Sequence, residues 1–200
     1  VVEAGAAYIK TSTGAYDADD KMEQYAYDTL HRMTSVTDRR GNTMVVNEYD
    51  ANSRVAKQTL ADGAIYSFAY ALNALGKVAT TTITNPRGFI KQMSFNEQGY
   101  LTQVVHALGQ PEQQIYYYER DEMSNLYAQI TDPLGRVTKL THDHIGNPIS
   151  VTRLFGTDEA VDVGYSYEPM FGKLTSYTDP LNNTSEYGYD ARGNLTSVTD

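Results

Sequence analysis

The sequence predicts an all-β protein, a repeat protein of consecutive antiparallel hairpins coiled into a spiral sheet. Three observations carry that expectation. The composition is rich in residues that suit a pleated, half-buried surface, with 17 Tyr against 5 Phe and no Trp. A short motif recurs along nearly the whole chain. The segments between copies alternate in polarity and are bounded by turn residues, as in "RVTKLTHD" and "NTSEYGYD".

The repeat emerges from sliding "YDARGNLTSVTD" (189–200) back along the chain. It finds "YDTLHRMTSVTD" (27–38), "YDANSRVAKQ" (49–58), "FNEQGYLTQV" (95–104) and "HDHIGNPISVT" (142–152). "YEPMFGKLTSYTD" (167–179) carries one extra residue before its Gly. Each copy starts with an acidic or amide residue and closes its turn at His31, Ser53, Gly76, Gly99, Ser124, Gly146, Gly172 or Gly193, a mean spacing of about 23 residues. Tyr27-Asp28, Tyr49-Asp50 and Tyr189-Asp190 open three units, and Phe95 replaces Tyr in a fourth.

Roughly midway, each unit carries a second turn. It reads Asp38–Gly41, Asn85–Gly88, Asp132-Pro133-Leu134-Gly135 or Asp179-Pro180-Leu181-Asn182, with a shorter Asp62-Gly63 in another unit. Asx at the first position bonds nearby backbone, Pro presets φ, and Gly accepts a left-handed exit. A unit of two short strands and two tight turns is too short for a βαβ crossover. "AGAAY" (4–8) is too short for a helix, and "ADDKMEQYAYDTL" (18–30) runs into the first repeat. The organisation is thus a partial or divergent repeat over residues 1–24 and about eight hairpin units over 25–200. A sheet of such hairpins must twist and coil.

Composition also excludes functions. With no Cys there is no disulfide framework, thiolate metal site or thiol nucleophile. A net charge of −9 argues against a general nucleic-acid binder, which needs a basic face. No stretch approaches the length of an apolar membrane-spanning helix, and "VVEAGAAYIK" lacks the features of a signal peptide.

Chemistry-bearing residues fall into the repeat. His142, Asp143 and His144 resemble a metal cluster, but His142-Asp143 occupies the place of Tyr189-Asp190, and the other histidines, His31 and His106, follow no ligand spacing. The series Asp28, Asp50, Asp143 and Asp190 recurs every unit, whereas acid–base catalysis needs one constellation in one environment. No catalytic, cofactor-binding or metal residue is expected. A structural calcium role lacks any loop of known calcium-binding pattern. Asn182, Asn183 and Asn194 stand in glycosylation sequons. The Tyr residues read as a ladder of rings stacked between adjacent coils, fixing register by cross-strand pairing. The alternative is a lectin-like surface that stacks on sugar rings.

"YDARGNLTSVTD", "YDTLHRMTSVTD" and "TDPLGRVT" resemble the YD repeats of the Rhs family, which includes wall-associated, teneurin and toxin-complex B–C proteins, over about residues 25–200. The resemblance implies a section of a hollow β-shell that encloses a C-terminal toxin or effector polypeptide, in a protein secreted or delivered outside its producing cell. It implies as partners the rest of the shell and the enclosed cargo. "TDPLGR" (131–136) shares letters with the family's cleavage segment but reads as a repeat turn. The chain stops where other copies continue "PLG", so a fragment of a longer protein is expected, one that self-associates through open sheet edges. The alternative role is an extracellular module recognising glycan or a cell surface.

Overall fold

The computed structural model describes residues 8–11 and 23–200. No helix occurs among them. The strands are β1 (Tyr8–Thr11), β2 (Gln24–Tyr27), β3 (Met33–Thr37), β4 (Thr43–Tyr49), β5 (Val55–Leu60), β6 (Ile65–Leu72), β7 (Val78–Thr84), β8 (Ile90–Phe95) and β9 (Leu101–His106). They continue as β10 (Gln114–Arg120), β11 (Tyr127–Thr131), β12 (Val137–His142), β13 (Pro148–Arg153), β14 (Val161–Tyr167), β15 (Leu174–Thr178), β16 (Thr184–Tyr189) and β17 (Leu195–Thr199). Of the divergent repeat expected over 1–24, residues 1–7 and 12–22 lie outside the described residues.

The chain divides into two units, Val1–Gln92 with Ala107–Pro111, and Met93–His106 with Glu112–Asp200. In the first, β1 to β7 form an antiparallel meander in which each strand pairs with the next. In the second, β9 to β17 do the same. From β2 onward the short connections permit no other neighbour, because a tight turn can join only adjacent antiparallel strands.

Cross-strand register sorts the side chains of each unit onto two unlike faces. In the first unit one face carries Val45 opposite Leu60, Gln58 opposite Tyr66, and Phe68 opposite Ile83. The other carries the Glu48–Lys57 ion pair at 2.7 Å and the rows Lys57–Ser67–Thr84 and Ala69–Thr82. In the second unit Leu140, Val151 and Val163 line up on one face, with Tyr165 opposite Tyr177. The opposite face holds a polar row across five strands: Glu119, Gln129, Lys139, Thr152 and Asp162.

Among the described residues the fully buried core is minimal: Val104 and Val105, with the polar Asn47. Most strand residues on both faces are half-buried, covered by lateral neighbours. Asn47 is satisfied, donating to the Met33 carbonyl at 3.1 Å and accepting from Gln58 at 2.9 Å. Stability in such a sheet comes from hairpin geometry and contacts between successive hairpins. The turns are therefore where the sequence acts.

Candidate functional site

The turn opened by Asp28 shows the local construction. His31 N–H donates to the Asp28 carbonyl at 3.0 Å, and Asp28 N–H donates to the Arg32 carbonyl at 3.0 Å. His31 is left-handed at φ 61°, and the strand register slips beside it, between Ala26 and Tyr27. This is a type I turn closed by a bulge, the usual three-residue hairpin loop. The same pair of backbone bonds recurs in the turns opened by Asp38, Asp50, Leu60, Asn73, Asn85, Asn96, Asp132, Asp143, Asp179 and Asp190. Both kinds of turn in a unit thus have one geometry.

Gly76, Gly99, Gly135, Gly146 and Gly193 are left-handed at their turn exits, where glycine avoids the steric penalty of a side chain. His31, Ser53 and Asn182 take the same conformation without that relief. Pro133 and Pro180 occupy the second turn position, where their fixed φ fits the type I turn. Asp132 and Arg136 thereby tie "TDPLGR" into an ordinary hairpin.

One carboxylate oxygen of each opening Asp organises the turn. Oδ1 of Asp50 accepts from Asn52 N–H at 2.8 Å and Arg54 N–H at 2.9 Å. Oδ2 is held by the residue four positions on: Arg54 donates through Nε at 2.8 Å and closes an ion pair through Nη2 at 2.8 Å. Arg32 holds Asp28 and Arg136 holds Asp132 in the same way. Asn42, Asn147, Asn183 and Asn194 use a side-chain amide instead, on Asp38, Asp143, Asp179 and Asp190. All seven carboxylates lie below their ordinary range. For Asp28 and Asp50 the main cause is the backbone N–H of Arg32 and Arg54; for Asp38, Asp179 and Asp190 it is the asparagine amide. The working signature is therefore Asp, three turn residues, then Arg or Asn. That fifth position falls within the aligned copies, but its bond to the opening Asp is visible only once the turn is folded.

Two turns are one residue longer. In one, Glu168 reaches further than Asp and accepts from Met170, Phe171 and Lys173 N–H, and Gly172 closes the turn by donating to the Glu168 carbonyl. In the other, Asp121 accepts from Met123 and Ser124, and the Ser124 hydroxyl passes the contact on to Leu126 N–H. The residue closing that turn is Asn125, at φ 56°. This corrects the expected turn end at Ser124; the extra residue shifts the left-handed position by one.

Tyrosines connect successive hairpins. Tyr49 donates its hydroxyl to the Met33 carbonyl at 2.6 Å, while the Arg32 guanidinium lies 4.7 Å from its ring centroid. Tyr70 repeats this with the Val55 carbonyl and Arg54, and Tyr189 with the Leu174 carbonyl and Lys173. The arginine that holds a turn's Asp thus also covers a Tyr of the next hairpin. Ring-on-ring pairs do occur, Tyr118–Tyr127 and Tyr165–Tyr177, but Tyr49, Tyr70 and Tyr189 pair with cations. Tyr27 and Phe95 end β2 and β8 just before their turns, and Gly99 closes the turn that follows Phe95.

The His142–His144 segment lies between two grooves, of about 590 and 430 Å³. Asp121, Met123 and Leu140 wall the first, and Ile145, Tyr165 and Glu168 wall the second. Asp143 directs both carboxylate oxygens into its own turn, and no group of three His, Asp or Glu is gathered for a metal among the described residues. Of the sequon asparagines, Asn183 and Asn194 spend their amides on Asp179 and Asp190.

This geometry defines a hairpin-repeat protein whose units are joined by turn clamps and tyrosine contacts. Residues 170–200 match the RHS Repeat family model, and the turn geometry of that segment recurs back to Asp28. No curated protein is similar to it in sequence. Among solved structures it is similar to the Tc holotoxin pore of Photorhabdus luminescens carrying a TccC3 mutation, at 17% identity and a TM-score of 0.60 over 97% of this chain. The match spans 11% of that chain, and the two share a fold. A TcdB2-TccC3-Cdc42 structure follows at 14% identity and a TM-score of 0.35, over 96% of this chain and 14% of that one. A porin-like protein from Bacteroides uniformis gives 13% identity and a TM-score of 0.39, over 99% and 91%.

Proposed function

We propose that the chain is a wall segment of an Rhs-type shell that encloses an effector polypeptide encoded with it. The observation that carries this reading is the division of labour in the repeat. Asp with Arg or Asn is committed to each turn, and Tyr to joining one hairpin to the next, which yields a continuous hydrogen-bonded surface within each unit. A wall needs continuity and no reaction centre. The Tc holotoxin structure that shares this fold supports the reading at the level of the fold. The role calls for neither cofactor nor metal. Delivery outside the producing cell belongs to the same proposal.

The glycan-binding alternative loses ground at Tyr49, Tyr70 and Tyr189. Their hydroxyls are engaged by backbone carbonyls and their rings are covered by cations, leaving little of either for a sugar.

The test is limited proteolysis of the full reading frame that contains these repeats, following the segment after them by intact mass. Encapsulation predicts that this segment survives while the repeats stay folded and is digested once they are denatured. Digestion alongside folded repeats, or a reading frame with no such segment, would sink the proposal.

A further inference from the structure

The residue that closes a turn can act twice. Arg32 and Arg54 each hold the second carboxylate oxygen of their own Asp, and each covers a Tyr of the next hairpin. Lys173 covers Tyr189 likewise. Between the Asn96 and Asp121 turns the partners exchange places. Tyr100 holds the fifth turn position, and Arg120, at the end of β10, lies 5.1 Å from its ring centroid. Arg120 Nε donates to the Leu101 carbonyl, as the Tyr hydroxyls do at the corresponding carbonyls elsewhere. Each of these joints keeps a cation against a ring.

The joint between the Asp121 and Asp143 turns keeps neither. Leu126 follows the left-handed Asn125, and His142 ends β12 where Tyr49 and Tyr189 end their strands. Leu126 packs forward, its Cδ1 3.4 Å from where a Cβ on Gly146 would stand, but it has nothing to give a carboxylate. All the hydrogen bonds to Asp121 fall on Oδ1, from Met123 N–H, Ser124 N–H and the Ser124 hydroxyl. Every other carboxylate that opens a turn among the described residues has both oxygens engaged. Asp121 and His142 wall the same groove, of about 590 Å³. The Ser124 N–H is the main cause that holds the Asp121 carboxyl below its ordinary range, and the charge of a protonated His142 adds to it.

The other ionisable groups around His142 are engaged elsewhere. Asp143 uses both oxygens inside its own turn, and Glu168, in the wall of the second groove, accepts three backbone N–H groups. Arg120 lies 4.0 Å from the Tyr127 ring centroid and donates to the Leu101 and Asn125 carbonyls. Lys139 of β12 lies over the Phe155 ring, and Tyr167, raised by burial, stays a neutral phenol. Glu122 does not line the groove; His144 does, and serves as the control below.

We infer that His142, when protonated, supplies the clamp that Leu126 cannot, closing on Asp121 Oδ2 from the next hairpin and making this one joint of the sheet pH-dependent. A tie that needs a proton on the imidazole is present at the acid end of the histidine range and lost as pH rises through it. The Asp clamps remain ionised across that range. The two effects therefore have opposite signs in separate windows, and neither depends on the encapsulation reading.

Amide exchange of the 200-residue chain, corrected for its intrinsic pH dependence, tests this at Ser124 and Leu126. From pH 8 to pH 5.5 both should become roughly two- to fivefold better protected, the scale of a part-exposed ion pair. Asn52 and Leu75, in the Asp50 and Asn73 turns, should not change. His142→Gln and Asp121→Asn should each abolish the gain, and the double variant should match either one. Asn keeps the Oδ1 acceptor, as in the Asn73 turn, so the hairpin still forms. His144→Gln should leave the gain intact. Wild type alone gives a second reading: a nuclear Overhauser contact between the His142 ring and the Asp121 methylene, present at pH 5.5 and absent at pH 8. Protection or a ring contact that ignores pH would overturn the inference. So would a gain that survives either single variant, or one lost with His144→Gln.

Discussion

Turns opened by Asp and turns opened by Asn share one backbone geometry but are held differently. In the Asn73, Asn85 and Asn96 turns the side-chain oxygen accepts the same two backbone N–H groups as in the Asp turns. An Asn has no second carboxylate oxygen, and the fifth position holds Lys77, Phe89 and Tyr100 in place of the Arg or Asn found after Asp28, Asp50 or Asp143. The first residue and the fifth therefore change together. The amide nitrogen of Asn96 turns sideways instead, donating to Asn125 of the neighbouring turn at 3.1 Å. Backbone geometry alone forms the hairpin; the clamp adds charge and couples the turn to pH.

That contrast is broken most forcefully by acid. Nine turn carboxylates, those of Asp28, Asp38, Asp50, Asp121, Asp132, Asp143, Glu168, Asp179 and Asp190, are held below their ordinary values. A depressed folded-state pKa means a contribution fully present above the ordinary carboxylate range and lost as pH falls through the folded value. Between pH 5 and pH 2, amide exchange corrected for its intrinsic pH dependence should accelerate at Arg54 and Asn147. Leu75 and Arg87, in Asn turns, should change less. Uniform acceleration across both classes would show that the clamp does not set local stability.

Next in size is the turn exit. Gly76 and Gly193 are left-handed at φ 73° and 78°, so Ala at either position incurs roughly 1–2 kcal/mol. A Cβ at Gly76 meets open space, while one at Gly193 lies 3.0 Å from Phe171 and 3.2 Å from Lys173 Nζ. Denaturant unfolding should therefore rank Gly193→Ala as the more damaging. Equal losses would mean that Phe171 and Lys173 move aside freely.

How much of this was legible in the letters depends on the distance over which each feature acts. The turn openings at Asp132-Pro133 and Asp179-Pro180 were readable because Asx, Pro and Gly act on their own few residues of backbone. The hairpin fold followed, since turns so closely spaced leave no room for another connection. The closing residue of the Asp121 turn was misplaced, because Ser124 and Asn125 both suit a turn and only the backbone reveals which is left-handed. The contact of Tyr49 with Arg32 and Met33 was invisible to local spacing. It forms across β3 and β4, where strand register sets the partner. The expectation of a tyrosine ladder concerned rings stacked between coils; the contacts of Tyr49, Tyr70 and Tyr189 run instead between neighbouring hairpins, to cations and backbone carbonyls.

Tyr49→Phe isolates that contact. It keeps the ring against Arg32 and removes the donor to Met33 O, a loss of about 0.5–1.5 kcal/mol. Asn47 also donates to this carbonyl, so the acceptor is not left bare and the value should fall toward the lower end. A larger loss would mean that the hydroxyl holds the ring in place as well.

The smallest effect, and the sharpest test of the comparison, is to convert one class of turn into the other. Asn73→Asp with Lys77→Arg writes the Asp50–Arg54 pair into an Asn turn. The two acceptor bonds to Leu75 and Lys77 N–H survive, because Asp presents the same Oδ1. What is added is a guanidinium across the second oxygen, in a turn near the surface, where exposed ion pairs contribute little. Global stability should therefore barely move. The signature is local: amide exchange at Leu75 should slow at pH 7 and lose that protection in acid, as at Asn52. Asn73→Asp alone leaves Lys77 at the fifth position, an ammonium without the guanidinium's fork, and should give a smaller gain. If the single and double variants behave alike, the matching of first and fifth residues does not reflect energetic coupling, and the clamp is a consequence of the turn rather than one of its causes.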